Sequence, residues 1–152
     1  MKTLLKTESD MSVTIARLAL GVVFFAHGSQ KVLGWFGGYG FHGTMQFFTQ
    51  QMGIPVVFAF LDIAAEFLGG IGLILGCLTR IAAFGIACVM LVAIFMVHHN
   101  FGFFINWAGN QKGEGFEYHI LALAITILLM VKGGGALSVD GAISGSASGS
   151  HP

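Results

Sequence analysis

Apolar residues run along this chain in four blocks, separated by stretches rich in glycine and aromatic side chains. The first covers residues 12–33, SVTIARLALGVVFFAHGSQKVL, and the second 54–76, IPVVFAFLDIAAEFLGGIGLILG. The third covers 79–97, TRIAAFGIACVMLVAIFMV, and the fourth 116–132, FEYHILALAITILLMVK. A bilayer core takes about 20 mostly apolar residues per helix, so each block predicts a membrane span. The expected fold class is all-α, an integral membrane four-helix bundle over residues 12–135. An N-terminal tail, 1–11, precedes it, and a Gly/Ser-rich flexible tail, 136–152, follows it. The first block lacks an A-x-A cleavage site and reads as a retained span, not a secretory signal. Pro55 falls in the first turn of the second span, where its missing N–H costs nothing. The turn near Cys77 to Thr79 is so short that the second and third spans should be antiparallel neighbours.

Four spans place both termini on one side, with Lys2, Lys6, Arg80 and Lys132; the other side has Lys112 and Lys31. The excess of positive charge then puts the termini in the cytoplasm. The longer connections, Gly34 to Gly53 and His98 to Gly115, fall outside and are aromatic-rich, as suits chain at headgroup level. Met45, Phe47, Phe48 and Met52 make an apolar stripe for a short interfacial helix in the first of them. Gly69, Gly70, Gly72 and Gly76 let helices approach closely.

Composition agrees with the pattern. Of 152 residues, 55% are hydrophobic and 9% charged, against roughly 25% charged in soluble domains. The mean hydropathy is +0.83. Formal net charge is zero, with no Lys/Arg run, which argues against a nucleic-acid partner. Cys77 and Cys88 form no CxxC and no zinc spacing, so they read as small buried apolar residues. There is no internal repeat to defend.

The chemistry lies in the ionisable residues inside or beside the spans. Each costs about 2.5 to 3.5 kcal/mol at a helix centre and normally faces a partner or a water-filled cavity. Arg17 lies about 7 Å into the first span and Glu66 about 15 Å into the second from the same side, on a 1.5 Å rise per residue. That suggests an Arg17–Glu66 pair; the alternative is an Arg17 that reaches out to the headgroups. His27 and Lys31 are four apart and share a helix face, as do Asp62 and Glu66. His27 and Asp62 fall at similar depth, so a polar cluster is expected in the outer half of the bundle. His98, Glu117 and His119 reach it from the ends of the third and fourth spans. Lys31 either joins the cluster or reaches outward. A metal site is not expected: the adjacent His98 and His99 point apart, and no HxxxH or ExxH spacing occurs. His27 is the one histidine well inside a span, which leaves haem without a second ligand.

Several segments together resemble the DoxX family of small four-helix membrane proteins. They are ARLALGVVFFAHGSQKVLG with Arg17 and Lys31, QMGIP, AAEFLGGIGLILGCLTR with Glu66 and Arg80, GEGFEYHILALA with Glu117 and Tyr118, and GGGALSVDG. The likeness runs from about Ser12 to Gly141. It implies a multi-pass protein of the cell inner (plasma) membrane, similar to the small membrane subunit of a thiosulfate:quinone oxidoreductase. Other members are linked to membrane-associated redox and thiol-stress complexes. Arg17, Lys31, Glu66, Arg80, Glu117 and Tyr118 stand at the family's recurring polar positions, without settled roles.

The leading functional expectation is a membrane subunit of a redox complex that interacts with quinone. His27 and Glu66 would exchange protons as the catalytic pair. Arg17, Lys31, Asp62, His98, Glu117 and Tyr118 would bind the substrate. The sequence has no haem, flavin or iron–sulfur motif and no covalently held cofactor is expected, so electrons would come from a partner subunit or a bound small molecule. Two other classes fit the same residues: a small-molecule transporter or binding protein, which would need a homo-oligomer, and a non-catalytic membrane anchor or assembly factor.

Overall fold

The computed structural model describes residues 5–146 and is all-α. Six α-helices are present among the described residues: α1 Met11–Leu33, α2 Gly40–Gln46, α3 Val56–Leu75, α4 Thr79–Met96, α5 Glu117–Lys132 and α6 Val139–Ser146. Three of them, α1, α3 and α4, are long and apolar enough to cross a membrane. The fourth expected span is α5, a shorter helix of 16 residues. α1 packs on α3, α3 on α4, α4 on α5, and α5 returns to α1, so the four long helices close a ring.

Local signals set the helix ends. The Asp10 carboxylate accepts from Ser12 N–H at 2.7 Å and starts α1. Pro55 stands just before α3, where its carbonyl accepts from the Phe58 and Ala59 N–H groups. α1 and α3 lie against each other without side chains between them at two points. A Cβ on Gly28 would sit 2.4 Å from Phe67 Cα, and one on Gly70 would sit 2.4 Å from Phe25 N. Only glycine permits that approach, and dispersion between close backbones is what holds helices together where lipid removes the hydrophobic drive.

The distribution of side chains is inverted relative to a water-soluble bundle. Val57 and Phe58 are 65% and 63% exposed, and Phe84, Phe95, Leu121 and Val131 also face outward. Meanwhile Arg17 is 1% exposed and Glu66 5%. An apolar exterior of this extent needs lipid around it. The interior apolar core, including Leu20, Phe24, Leu73, Ile86, Met90 and Leu129, sits between the two polar zones described below. Cys88 lies on the outer face of α4 and Cys77 is half-buried, so the expectation that both are buried is corrected.

The closing segment also departs from expectation. A flexible tail was expected from residue 136, but the chain docks there and forms α6. Ala136 N–H donates to Asp10 O at 3.2 Å, and Thr14 Oγ1 donates to Ala136 O at 2.7 Å. The buried Asp140 carboxylate accepts from Leu78 N–H and Thr79 N–H, each at 2.8 Å. It therefore caps α4 from 61 residues away. The turn before α4 offers no capping side chain of its own, and Leu78 takes a left-handed φ of 50°. A carboxylate on those free N–H groups also meets the positive end of the helix dipole. The last stretch of the Gly/Ser-rich sequence, 147–152, lies outside the described residues, as do 1–4.

Candidate functional site

A cavity of about 520 Å³ opens at the end of the bundle that carries the two long connections. One of its walls carries a charged triad. Lys31, in the last turn of α1, turns inward and not outward. Its Nζ lies 2.6 Å from Asp62 Oδ2 and 2.9 Å from Glu66 Oε2. The four-residue spacing that puts Asp62 and Glu66 on one face of α3 lets one ammonium serve both carboxylates. The Phe48 ring lies 5.0 Å from the same ammonium, which adds a cation–π contact from above.

The remaining walls are mostly apolar: Phe24, Val89 and Met90 below, and Met52, Ile54 and Met96 nearer the mouth. The stripe expected on an interfacial helix instead covers this cavity. α2 passes at Phe47 into a π-helical turn, Phe47–Gln51, and both Phe47 and Phe48 face the cavity. Wider turns of this kind recur at functional sites because they re-aim side chains.

Of the residues expected in the site, His27, Lys31, Asp62, Glu66, His98 and Tyr118 line this one cavity. His27 sits beside Phe24, with ring centroids 6.4 Å apart. His98 Nδ1–H donates to Glu114 O at 2.7 Å, which fixes its ring. His119 lines the cavity too, although the sequence reading gave it no binding role. The rings of His98 and His119 lie 4.1 Å apart, centroid to centroid.

Arg17 is not in this site. Its guanidinium lies at the opposite end of the bundle and pairs with backbone, not with Glu66. Nε donates to Gly134 O at 2.7 Å, Nη1 to Leu73 O and to Ile74 O at 2.8 Å, and Nη2 to Leu137 O at 3.1 Å. Leu73 O and Ile74 O stand in the last turn of α3, at the negative end of its dipole, and Gly134 O and Leu137 O come from the segment after α5. The Arg17–Glu66 expectation is therefore corrected, and Glu66 is taken by Lys31. The two polar zones are separate. Glu117 also stands outside the cavity lining; its Oε1 accepts from Ile105 N–H at 3.0 Å and holds the second long connection in place. Arg80 bridges Met130 O and Lys6 O at the terminal end.

Three buried polar atoms facing the cavity lack a hydrogen-bond partner among the described residues: Glu66 Oε2, Tyr118 Oη and His119 Nδ1. For Glu66 the ion contact with Lys31 meets the distance but not the alignment of a hydrogen bond. Native interiors leave few such atoms, so the cavity has donors and acceptors to spare.

Residues 12–99 match the DoxX family. The chain belongs to the DoxX family. Over 136 residues it is 32% identical to "Inner membrane protein YqjF" of Escherichia coli strain K12, covering 90% of this chain and 95% of that protein. Over 120 residues it is 30% identical to "Putative oxidoreductase CatD" of Bacillus subtilis strain 168, covering 79% of each. No solved structure matches the chain. The family, the membrane-length helices and the near full-length likeness to an inner-membrane protein make this a multi-pass protein of the inner membrane.

Proposed function

We propose that this protein is the membrane subunit of a redox complex and that its cavity takes the head group of a quinone. The observation that carries the reading is the Lys31–Asp62–Glu66 triad in a largely apolar cavity within the bundle. A volume of about 520 Å³ falls in the usual range for small-molecule sites, roughly 300 to 1,000 Å³. The name of the Bacillus relative supports redox chemistry for the family.

The residues suit the substrate. Reducing a quinone to a quinol adds two electrons and two protons, turns each C=O into C–OH and breaks no σ bond. The electrons come from a reduced partner subunit. The protons need groups that hold and release them at membrane depth. Lys31 offers an N–H to the quinone oxygen and balances its negative charge as electrons arrive. Glu66 and His27 pass protons inward, and Asp62 holds the ammonium in place. The apolar walls keep bulk water from the partly reduced ring. In this reading α5 completes the membrane domain as a fourth span, its 16 residues met by local thinning of the bilayer. The termini face the cytoplasm, where Lys6, Arg80 and Lys132 collect.

The test is native-lipid extraction of the purified protein, followed by mass analysis, for wild type beside Glu66→Gln and His27→Ala. Stoichiometric quinone in wild type and its loss in both variants is the expected result. Wild type without quinone, with all three proteins equally stable, would overturn the reading in favour of transport or assembly.

A further inference from the structure

α3 and α4 are joined by a short turn and meet along one stripe of each helix. A Cβ on Gly72 would lie 3.5 Å from Ala82 Cβ, and one on Gly69 would lie 3.4 Å from Ile86 Cδ1. One on Gly85 would lie 3.3 Å from Ala65 Cβ. At spacings of three and four the same stripes run on as Asp62 and Phe58 in α3, and as Val89, Val92 and Met96 in α4. Here they face the cavity in place of each other. Asp62, Val89, Val92 and Met96 line it, and Phe58 is exposed. Val92 and Met96 line the cavity yet stay 49% and 45% exposed, so they stand at its edge. Val92 lies about 6 Å inside the end of α4, on a 1.5 Å rise per residue, which is membrane depth. The other sides differ. α1 and α3 are closed backbone to backbone at Gly28 and Gly70. α1 and α5 present His27, Tyr118 and His119 to the cavity, and the connection end presents His98 and Glu114.

We infer that the cavity opens sideways into the bilayer through a window between α3 and α4, and that its ligand carries an apolar chain that leaves there while the head group stays at the triad. This rests on the quinone reading and narrows it to quinones with a lipid-soluble tail, taken from the membrane and not from water. The chemistry of the rim fits. Apart from Asp62, which Lys31 holds at 2.6 Å, the window is edged by Phe58, Val92 and Met96, and Met52 and Ile54 line the cavity just before α3 begins. A chain that leaves here stays in hydrocarbon along its length. One drawn out through the connection end would meet water, at a cost for every methylene. Met52 and Met96 are unbranched and flexible, so the opening can adapt as a ring passes. Asp62 on the inner edge puts the triad within reach of the ring as soon as it has entered.

The experiment uses the purified full chain in lipid nanodiscs and two probes. One is a chainless benzoquinone; the other is the same ring with a decyl chain that carries a diazirine close to the ring. Illumination, digestion and mass analysis should place the chain on Phe58, Val92 or Met96. Val92→Trp, which fills the window, should weaken binding of the decyl probe by about tenfold or more, because a ring held back from the triad loses a hydrogen bond to a charged group. It should leave the chainless probe unchanged. Val22→Trp, on the exposed face of α1, should affect neither probe. Thermal unfolding of each variant separates a blocked window from a lost fold. If wild type binds both probes but Val92→Trp treats them alike, or the cross-links fall away from the window, the window is wrong and the quinone reading stands. If wild type binds neither probe, both fall together.

Discussion

Replacing Lys31 with methionine tests the triad most directly. The change keeps the length of the side chain and removes its charge. It leaves Asp62 and Glu66, which now sit 2.6 and 2.9 Å from one ammonium, facing each other with no cation between them. Removing one partner of a buried ion pair costs about 3 to 5 kcal/mol. Lys31 and Asp62 keep about a fifth of their side-chain surface open, at 22% and 20%, while Glu66 keeps 6%. Water can reach part of the site, so the lower end, about 3 kcal/mol, is the expected loss. Denaturant titration in micelles measures it. The decisive companion is the triple variant Lys31→Met, Asp62→Asn, Glu66→Gln, which has no charge to strand. It should regain stability to within about 1 kcal/mol of wild type, because neutral replacement of a buried charge cluster is close to free. A single variant as stable as wild type, or a triple variant no better than the single, would refute the claim that the triad is a desolvated, mutually dependent unit.

Other outcomes follow from the terminal end and the helix contacts. Asp140→Ala removes the acceptor for Leu78 and Thr79 N–H; it should destabilise the protein by about 2 kcal/mol, the upper range for a lost cap, and should speed proteolysis of the segment after α5. Gly28→Val places a side chain where Phe67 Cα lies 2.4 Å from the Cβ position. It should push α1 off α3 and abolish a cysteine crosslink engineered across that interface.

Much of the fold was legible because lipid imposes one rule, a run of about 20 apolar residues. The long helices begin and end within two residues of the blocks read from the sequence. Helix rotation was harder. Where lipid surrounds the bundle, the outside is as apolar as the core, so Val57 and Phe58 look no different in sequence from the buried Ala59 and Ile63. Polar residues carry the only rotational signal, and the spacing of His27 with Lys31 and Asp62 with Glu66 did place four of them in one cavity. Arg17 was misassigned because its partners are carbonyls, which every residue has and no sequence displays. His119 was expected at the cluster together with His98 and Glu117, without a binding role of its own. Only the structure shows Glu117 turned to the connecting chain and His119 turned inward. The tail was misread because glycine and serine suggest flexibility, whereas Asp140 among them caps α4.

The two polar zones also differ in a way that bears on which one carries chemistry. At the terminal end every nitrogen of the Arg17 guanidinium has a carbonyl and both oxygens of Asp140 have an N–H, while Thr79 Oγ1 and Arg80 Nε lack a partner among the described residues. The Arg17 guanidinium and the Asp140 carboxylate are therefore committed to the fold, and their removal should be felt as lost stability. At the other end, among the described residues, Tyr118 Oη and His119 Nδ1 have no hydrogen-bond partner and Glu66 Oε2 has only its ion contact, all in residues that line the cavity. Burying polar atoms without partners is expensive, and a fold that needed only rigidity would replace them with apolar groups at a gain. Mutations in the first zone should therefore track with unfolding, and Tyr118→Phe in the second should cost binding while leaving stability unchanged or higher. That separation in one set of purified variants would show which buried polar groups hold the bundle together and which are there for a ligand.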